Sequence, residues 1–188
     1  LLRHAAAISA QAHVRAMRTC QAGVCEYQLQ AELEHTFVWH GASGPAYSTI
    51  VGGGANACVL HYIENSDVLK ENTLVLIDAG AEFDLYAGDI TRTFPVSGRF
   101  NDAQRELYHV VLGAQERAVK AIAPGATLAD IHQGVVEDLT AGLVELGLLT
   151  GEVQARIDDE SYRRFYLHST SHWLGLDVHD VGTYRLDE

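Results

Sequence analysis

The chain has 188 residues, 47% of them hydrophobic and 20% charged, a make-up that fits a folded globular chain and excludes a disordered one. Its 13 lysines and arginines stand against 25 aspartates and glutamates, and the formal charge of −12 argues against a nucleic-acid or anionic-membrane surface, either of which needs a basic footprint. Cys20, Cys25 and Cys58 show no metal-type spacing and give no disulfide framework, so a reducing, cytoplasmic setting is expected, and no apolar run is long enough to span a membrane.

From Arg3 to Cys20, Ala6, Ile8, Ala10, Val14 and Met17 recur at roughly helical spacing in an alanine-rich segment, which predicts a first helix. Gln21-Ala22-Gly23 breaks it, and Glu26 to Trp39 reads as a second, amphipathic helix with Leu29, Leu33 and Phe37 on one stripe. His35 and His40 are read as surface or packing residues. Tyr47 to Val51 is expected to be a strand and Gly52-Gly53-Gly54 a turn. No Lys-Ser/Thr follows those glycines, so they indicate tight backbone geometry, not a phosphate cradle. A further strand is expected from Ala57 to Tyr62, placing His61 at its end as a candidate proton carrier.

Leu74 to Ile77 is an apolar, β-prone run that stops on Asp78, and Asp89-Ile90-Thr91-Arg92-Thr93-Phe94 alternates like a second strand. If the reversal between them is centred between Phe83 and Asp84, Asp78 and Asp89 face each other across an antiparallel ladder. Like charges so placed repel, and either a shared proton or a cation between the oxygens must relieve them.

Asn101, followed three residues on by Gln104, is a capping signal for a helix to about Ile122, which Pro124-Gly125 stops. Thr127 and Asp130 cap another, carried by Ile131, Val135, Leu139, Leu143 and Leu146 to Leu148. His109 and His132 lie in these helices without a partner motif and are read as structural. The two helices are expected to cover one face of a sheet, giving an α+β architecture. Gly151 to Arg164 reads as a short helix with loops.

The stretch Tyr166 to Gly182 then carries His168, His172 and His179. His168 and His172 have the spacing of a helical metal pair, but the glutamate of a zincin signature is missing and Gly175 argues against a regular helix. One histidine from here joining two aspartates makes an oxygen-rich site with one nitrogen, which suits manganese or cobalt at least as well as zinc.

Leu74-Val75-Leu76-Ile77-Asp78-Ala79-Gly80, Tyr86-Ala87-Gly88-Asp89-Ile90-Thr91-Arg92-Thr93-Phe94-Pro95-Val96 and Ser171-His172-Trp173-Leu174-Gly175-Leu176-Asp177-Val178-His179-Asp180-Val181-Gly182 closely resemble the aminopeptidase P (Xaa-Pro aminopeptidase) family. Tyr47-Ser48-Thr49-Ile50-Val51-Gly52 and Leu60-His61-Tyr62-Ile63-Glu64-Asn65 extend the likeness over nearly the whole chain. The resemblance implies an α+β pita-bread catalytic domain, shared with prolidase, creatinase and methionine aminopeptidase. It would be an antiparallel sheet covered by helices, with residues 1–188 as a partial domain incomplete at its C-terminal end.

The resemblance also implies two divalent metal ions, manganese first, with cobalt or zinc as alternatives. Asp78, Asp89 and His172 match three metal ligands of the family. His61 and His179 match histidines that act on the reacting group, and His168 one that lines the substrate pocket. The family's two glutamate ligands are expected beyond Glu188, which lacks their Glu-Pro-Gly context and is not taken as a ligand. A His168-Ser169 pair stands where relatives have His-Gly, and the family's amino-terminal domain is absent, so the sequence is read as a piece of a longer protein.

The implied activity is release of the N-terminal residue from peptides with proline second, by a protein that forms a homo-oligomer when full length. A prolidase-type dipeptidase is a close variant. A metal-free pita-bread module that binds a peptide or partner is an alternative from another class, which typically loses the ligands kept here. A metal-independent acid/base hydrolase would leave the histidines unexplained.

Overall fold

The computed structural model describes residues 1–184, so Glu188 lies outside the described residues. The chain divides into two compact units, residues 1–100 with 172–183, and residues 101–171 with Tyr184.

In the first unit α1 (Leu2–Thr19) and α2 (Glu26–Trp39) pack on each other and on two small antiparallel sheets. The helical period of α1 is as expected, but its buried face is Ala5, Ile8, Ser9, Ala12, His13 and Ala16, while Val14 and Met17 remain exposed. Small side chains let this helix lie close to the strands, and that decides which face turns inward. Leu29, Leu33 and Phe37 of α2 are fully buried, as their stripe predicts.

One sheet joins β2 (Ile50–Gly53), β3 (Leu74–Ala79) and β6 (Ile90–Pro95) in the order β2-β3-β6. The other joins β1 (Gly44–Pro45), β4 (Ala81–Phe83) and β5 (Tyr86–Ala87) in the order β1-β4-β5. Along β3, Val75, Ile77 and Ala79 enter the core with Ile8, Ala12, Leu29, Leu33 and Phe37. The two-residue period therefore turns Asp78 to the opposite face.

Two expected strands take another form. Tyr47 to Thr49 precedes the ladder, which begins at Ile50. Ala57 to Tyr62 is not a strand: Gly54–Cys58 is a 3₁₀ turn and the chain then bends, with His61 at φ 55°. Its last residue is held instead through its side chain, the Tyr62 hydroxyl donating to Glu26 Oε2 at 2.8 Å. Gly52 and Gly53 belong to β2, not to a turn. A Cβ on Gly52 would lie 2.9 Å from backbone atoms of Asn56 and Ala57, which is the tight packing the glycines signal.

His13 is 2% exposed, and its Nε2 donates to the Ala79 carbonyl at 3.0 Å, tying α1 to the end of β3. Its Nδ1 has no hydrogen-bond partner. Burial lowers its pKa, Arg92 acts in the same direction, and the Ala79 bond and Asp78 oppose them. Folding therefore favours the neutral ring. The stability it lends is complete above the unfolded value, 6.5, and is lost as pH falls toward the lower folded value. Denaturation midpoints are expected to fall with pH in that window. His13→Gln, which keeps a donor but does not titrate, should flatten the slope.

In the second unit α3 (Asp102–Ala121) packs on α4 (Leu128–Glu145), and α4 on α5 (Val153–Asp158) and the 3₁₀ turn Ser161–Arg164. Asn101 accepts from Gln104 N at 2.9 Å and Thr127 from Asp130 N at 3.1 Å, and both capping boxes are complete. The helix expected to reach Leu148 ends at Glu145, where Gly147 takes φ 71°. His132 Nδ1 lies 3.0 Å from Thr170 Oγ1, a structural role as expected.

Candidate functional site

Asp78 and Asp89 do not pair across a ladder. β3 and β6 run in a register that sets Asp78 opposite Thr91, and Asp89 lies just before β6. The reversal is centred between Asp84 and Leu85, both in left-handed backbone with φ 50° and 72°, one residue later than expected. A shift of one residue in the centre moves the partner by two, and two is the side-chain period. The carboxylates therefore keep a common face and meet diagonally.

They meet at Tyr47. Its hydroxyl lies 2.5 Å from Asp78 Oδ1 and 3.0 Å from Asp89 Oδ1. The backbone N–H of Ala46 donates to Gly80 O at 2.8 Å and holds the tyrosine segment against the hairpin. Burial raises the Asp78 pKa, hydrogen bonds from Tyr47 and Thr91 lower it, and the Asp89 charge raises it further. The same burial and the two facing carboxylates drive the Tyr47 pKa strongly upward, so the phenol keeps its proton.

His172 joins from the segment after the second unit. Its Nε2 is 3.1 Å from Asp89 Oδ2, and its Nδ1 is 2.8 Å from the Trp173 carbonyl. The His179 ring stands beside it, with centroids 4.2 Å apart. Asp180 folds this segment, accepting from Val181 N at 2.9 Å and Leu176 N at 3.3 Å while its own N–H donates to Trp173 O at 3.0 Å. Ala87 N donates to Gly175 O at 2.9 Å, which fastens the segment to β5.

The donor chemistry fits a cation. A carbonyl only accepts, so His172 Nδ1 carries a proton and Nε2 is the nitrogen turned toward Asp89. One phenolic proton faces two carboxylates. The phenol contact leaves more lone pairs than protons, an imbalance that bound positive charge would relieve. Two carboxylates and one imidazole nitrogen are suitable ligands for a divalent ion. They form a chain through Tyr47 and Asp89, and among the described residues no three His, Cys, Asp or Glu side chains converge closely enough to hold an ion by themselves.

His61 is exposed on its loop, and among the described residues no hydrogen bond, ion pair or ring contact joins it to Asp78, Asp89 or His172. His168 lies in the second unit, edge-on to Tyr166 at 4.8 Å between centroids. Sequence reasoning missed Tyr47, Thr91 and Asp180 as supports of the site. The available signal was position: Tyr47 opens one of the matched motifs, Thr91 lies two residues beyond Asp89, and Asp180 follows His179.

An α+β scaffold that brings two aspartates and a histidine to one face defines a class of candidate hydrolytic metal sites. The model of metallopeptidase family M24 matches residues 1–187, and the chain belongs to that family. It is 49% identical over its full length to a Xaa-Pro aminopeptidase of Haemophilus influenzae and 50% identical to one of Escherichia coli. These matches cover 44% and 42% of the relatives, so the chain spans less than half of their length. Among solved structures, aminopeptidase PepP of Pseudomonas aeruginosa superposes with a TM-score of 0.97 at 53% identity, over 98% of this chain and 42% of that one. A zinc-substituted E. coli aminopeptidase P in complex with product gives 0.96 at 49% identity, over 100% and 44%. The fold is thus part of the α+β pita-bread architecture, and membership in a metallopeptidase family implies divalent metal ions.

Proposed function

We propose that this chain is part of the pita-bread catalytic domain of a metallo-exopeptidase that releases the N-terminal residue from peptides with proline second. The observation that carries the reading is the chain of contacts that joins Asp78 to Asp89 through Tyr47 and Asp89 to His172, in a chain about half identical to Xaa-Pro aminopeptidases. Asp78, Asp89 and His172 would hold two divalent ions, manganese first, together with ligands from a longer protein. When bound, the ions would supply an activated water and polarise the scissile carbonyl.

The chain's own residues do the rest. Asp78 and Asp89 offer carboxylate oxygens that Tyr47 and Thr91 orient, and the Trp173 carbonyl fixes the tautomer that leaves His172 Nε2 free to coordinate. His179 and His61 would donate to the carbonyl oxygen as negative charge develops and deliver a proton to the departing proline nitrogen. His168 would line the pocket for the proline ring, which has no N–H and a fixed φ, so its recognition depends on shape. No helix among the described residues is long and apolar enough to cross a membrane. The acidic balance gives no nucleic-acid surface, and we place the protein in the cytoplasm, as a homo-oligomer at full length.

The test is cleavage of Ala-Pro and Arg-Pro peptides by a version extended to its relatives' length, before and after chelation and after return of Mn²⁺. Loss and recovery are expected; cleavage that survives chelation would overturn the metal-dependent reading. Tyr47→Phe keeps the ring and removes the shared hydroxyl. It is expected to lower Mn²⁺ affinity or turnover roughly 10–100-fold, as loss of a ligand-orienting partner does. Titration calorimetry and steady-state rates check this.

A further inference from the structure

Glu26 is the first residue of α2 and is fully buried, 0% exposed. Its carboxylate is nevertheless satisfied. Oε1 accepts from Gly53 N at 2.7 Å and Asn56 Nδ2 at 3.0 Å, and Oε2 accepts from the Tyr62 hydroxyl at 2.8 Å and Asp67 N at 2.9 Å. Asn56 Nδ2 also lies 3.0 Å from the Tyr62 oxygen and 3.0 Å from Asp67 Oδ2. One carboxylate thus gathers both ends of the loop that follows β2, and its middle through Tyr62.

What that loop presents is His61. Val59, Leu60 and Ile63 are more than half exposed, so apolar packing does little to fix the tip. His61 takes a left-handed φ of 55°, a conformation uncommon in non-glycine residues that its surroundings hold in place. The anchor is next in the chain: Tyr62 is buried and ends on Glu26. On the far side, Asn65 donates to Thr49 O at 2.8 Å and accepts from Val51 N at 2.9 Å.

We propose that Tyr62, held by the buried Glu26 carboxylate, is a positioning residue that sets the place of the His61 imidazole. Its catalytic consequence rests on the reading that His61 acts on the scissile carbonyl, while the positioning itself does not.

Two readouts separate these. In the extended, Mn²⁺-loaded protein, Tyr62→Phe is expected to lower kcat on an Xaa-Pro tripeptide about 10- to 100-fold, the scale of a small misplacement, with KM little changed. In a His61→Ala background the same substitution should change kcat less than about twofold, because the group it positions is gone. Amide hydrogen exchange across residues 59–64 of Tyr62→Phe should quicken relative to the rest of the first unit. Glu26→Gln, which presents an amide N–H₂ where the carboxylate only accepted, serves as the second variant and should reproduce all three effects. Unchanged exchange, or an equal loss of kcat with and without the His61 imidazole, would overturn the proposal. Quickened exchange in a protein that cleaves no Xaa-Pro peptide would sink the enzymatic reading and leave the positioning intact.

Discussion

Asp89→Asn is expected to abolish metal-dependent cleavage in the extended protein. Asp89 touches both other parts of the site, through Oδ1 to the Tyr47 hydroxyl at 3.0 Å and through Oδ2 to His172 Nε2 at 3.1 Å. The amide is nearly isosteric, so packing should survive. But it removes a full negative charge and turns one of the two contact atoms into an N–H₂ donor, which cannot coordinate a cation. The loss should exceed the roughly 10–100-fold cost of removing an orienting partner such as the Tyr47 hydroxyl. Metal content by elemental analysis, beside kcat/KM, checks the result. Retained Mn²⁺ with retained turnover would remove Asp89 from the ligand set.

The largest effect on folding is expected at Gly80. This residue joins β3 to β4, and a Cβ placed there would sit 1.6 Å from the Gly88 carbonyl oxygen and 2.4 Å from its carbon. Both are backbone atoms, so no side-chain rotation can make room. The two chain segments that carry Asp78 and Asp89 would have to separate. Gly80→Ala should destabilise the chain by roughly 3 kcal/mol or more, the upper range for overpacking. Gly134 in α4 is the control, since nothing lies within 4 Å of a Cβ there. Gly134→Ala is expected to stabilise by about 0.5–1 kcal/mol through helix propensity alone. Urea denaturation of the two variants measures both. Comparable stabilities would mean that the close approach of Gly80 and Gly88 does not constrain the hairpin.

Local signals in the sequence carried much of this architecture. The Asn101–Gln104 and Thr127–Asp130 caps open their helices as read, because a capping side chain and the backbone it satisfies are only three residues apart. The Leu29, Leu33 and Phe37 stripe placed α2 in the core for the same reason of short range. What failed depended on contacts distant in sequence or on backbone conformations the residues do not advertise. Asp84-Leu85 takes two left-handed residues without the Asn-Gly or Asp-Gly wording that signals such turns, so the hairpin centre was read one residue early. The apolar residues of 57–62 suggested a strand, yet the segment is organised by Glu26, which reads locally as an ordinary first-turn acid of an amphipathic helix. Tyr47 likewise owes its place to two aspartates more than thirty residues away. The candidate site was legible as residue types and matched motifs, whereas the hydroxyl that joins its carboxylates required the fold.

The most direct measurement is anomalous diffraction from Mn²⁺-loaded crystals of the extended protein. A manganese peak in coordination contact with Asp78, Asp89 and the Nε2 atom of His172 is expected. A manganese peak bound by other side chains, with these three left uncoordinated, would contradict it.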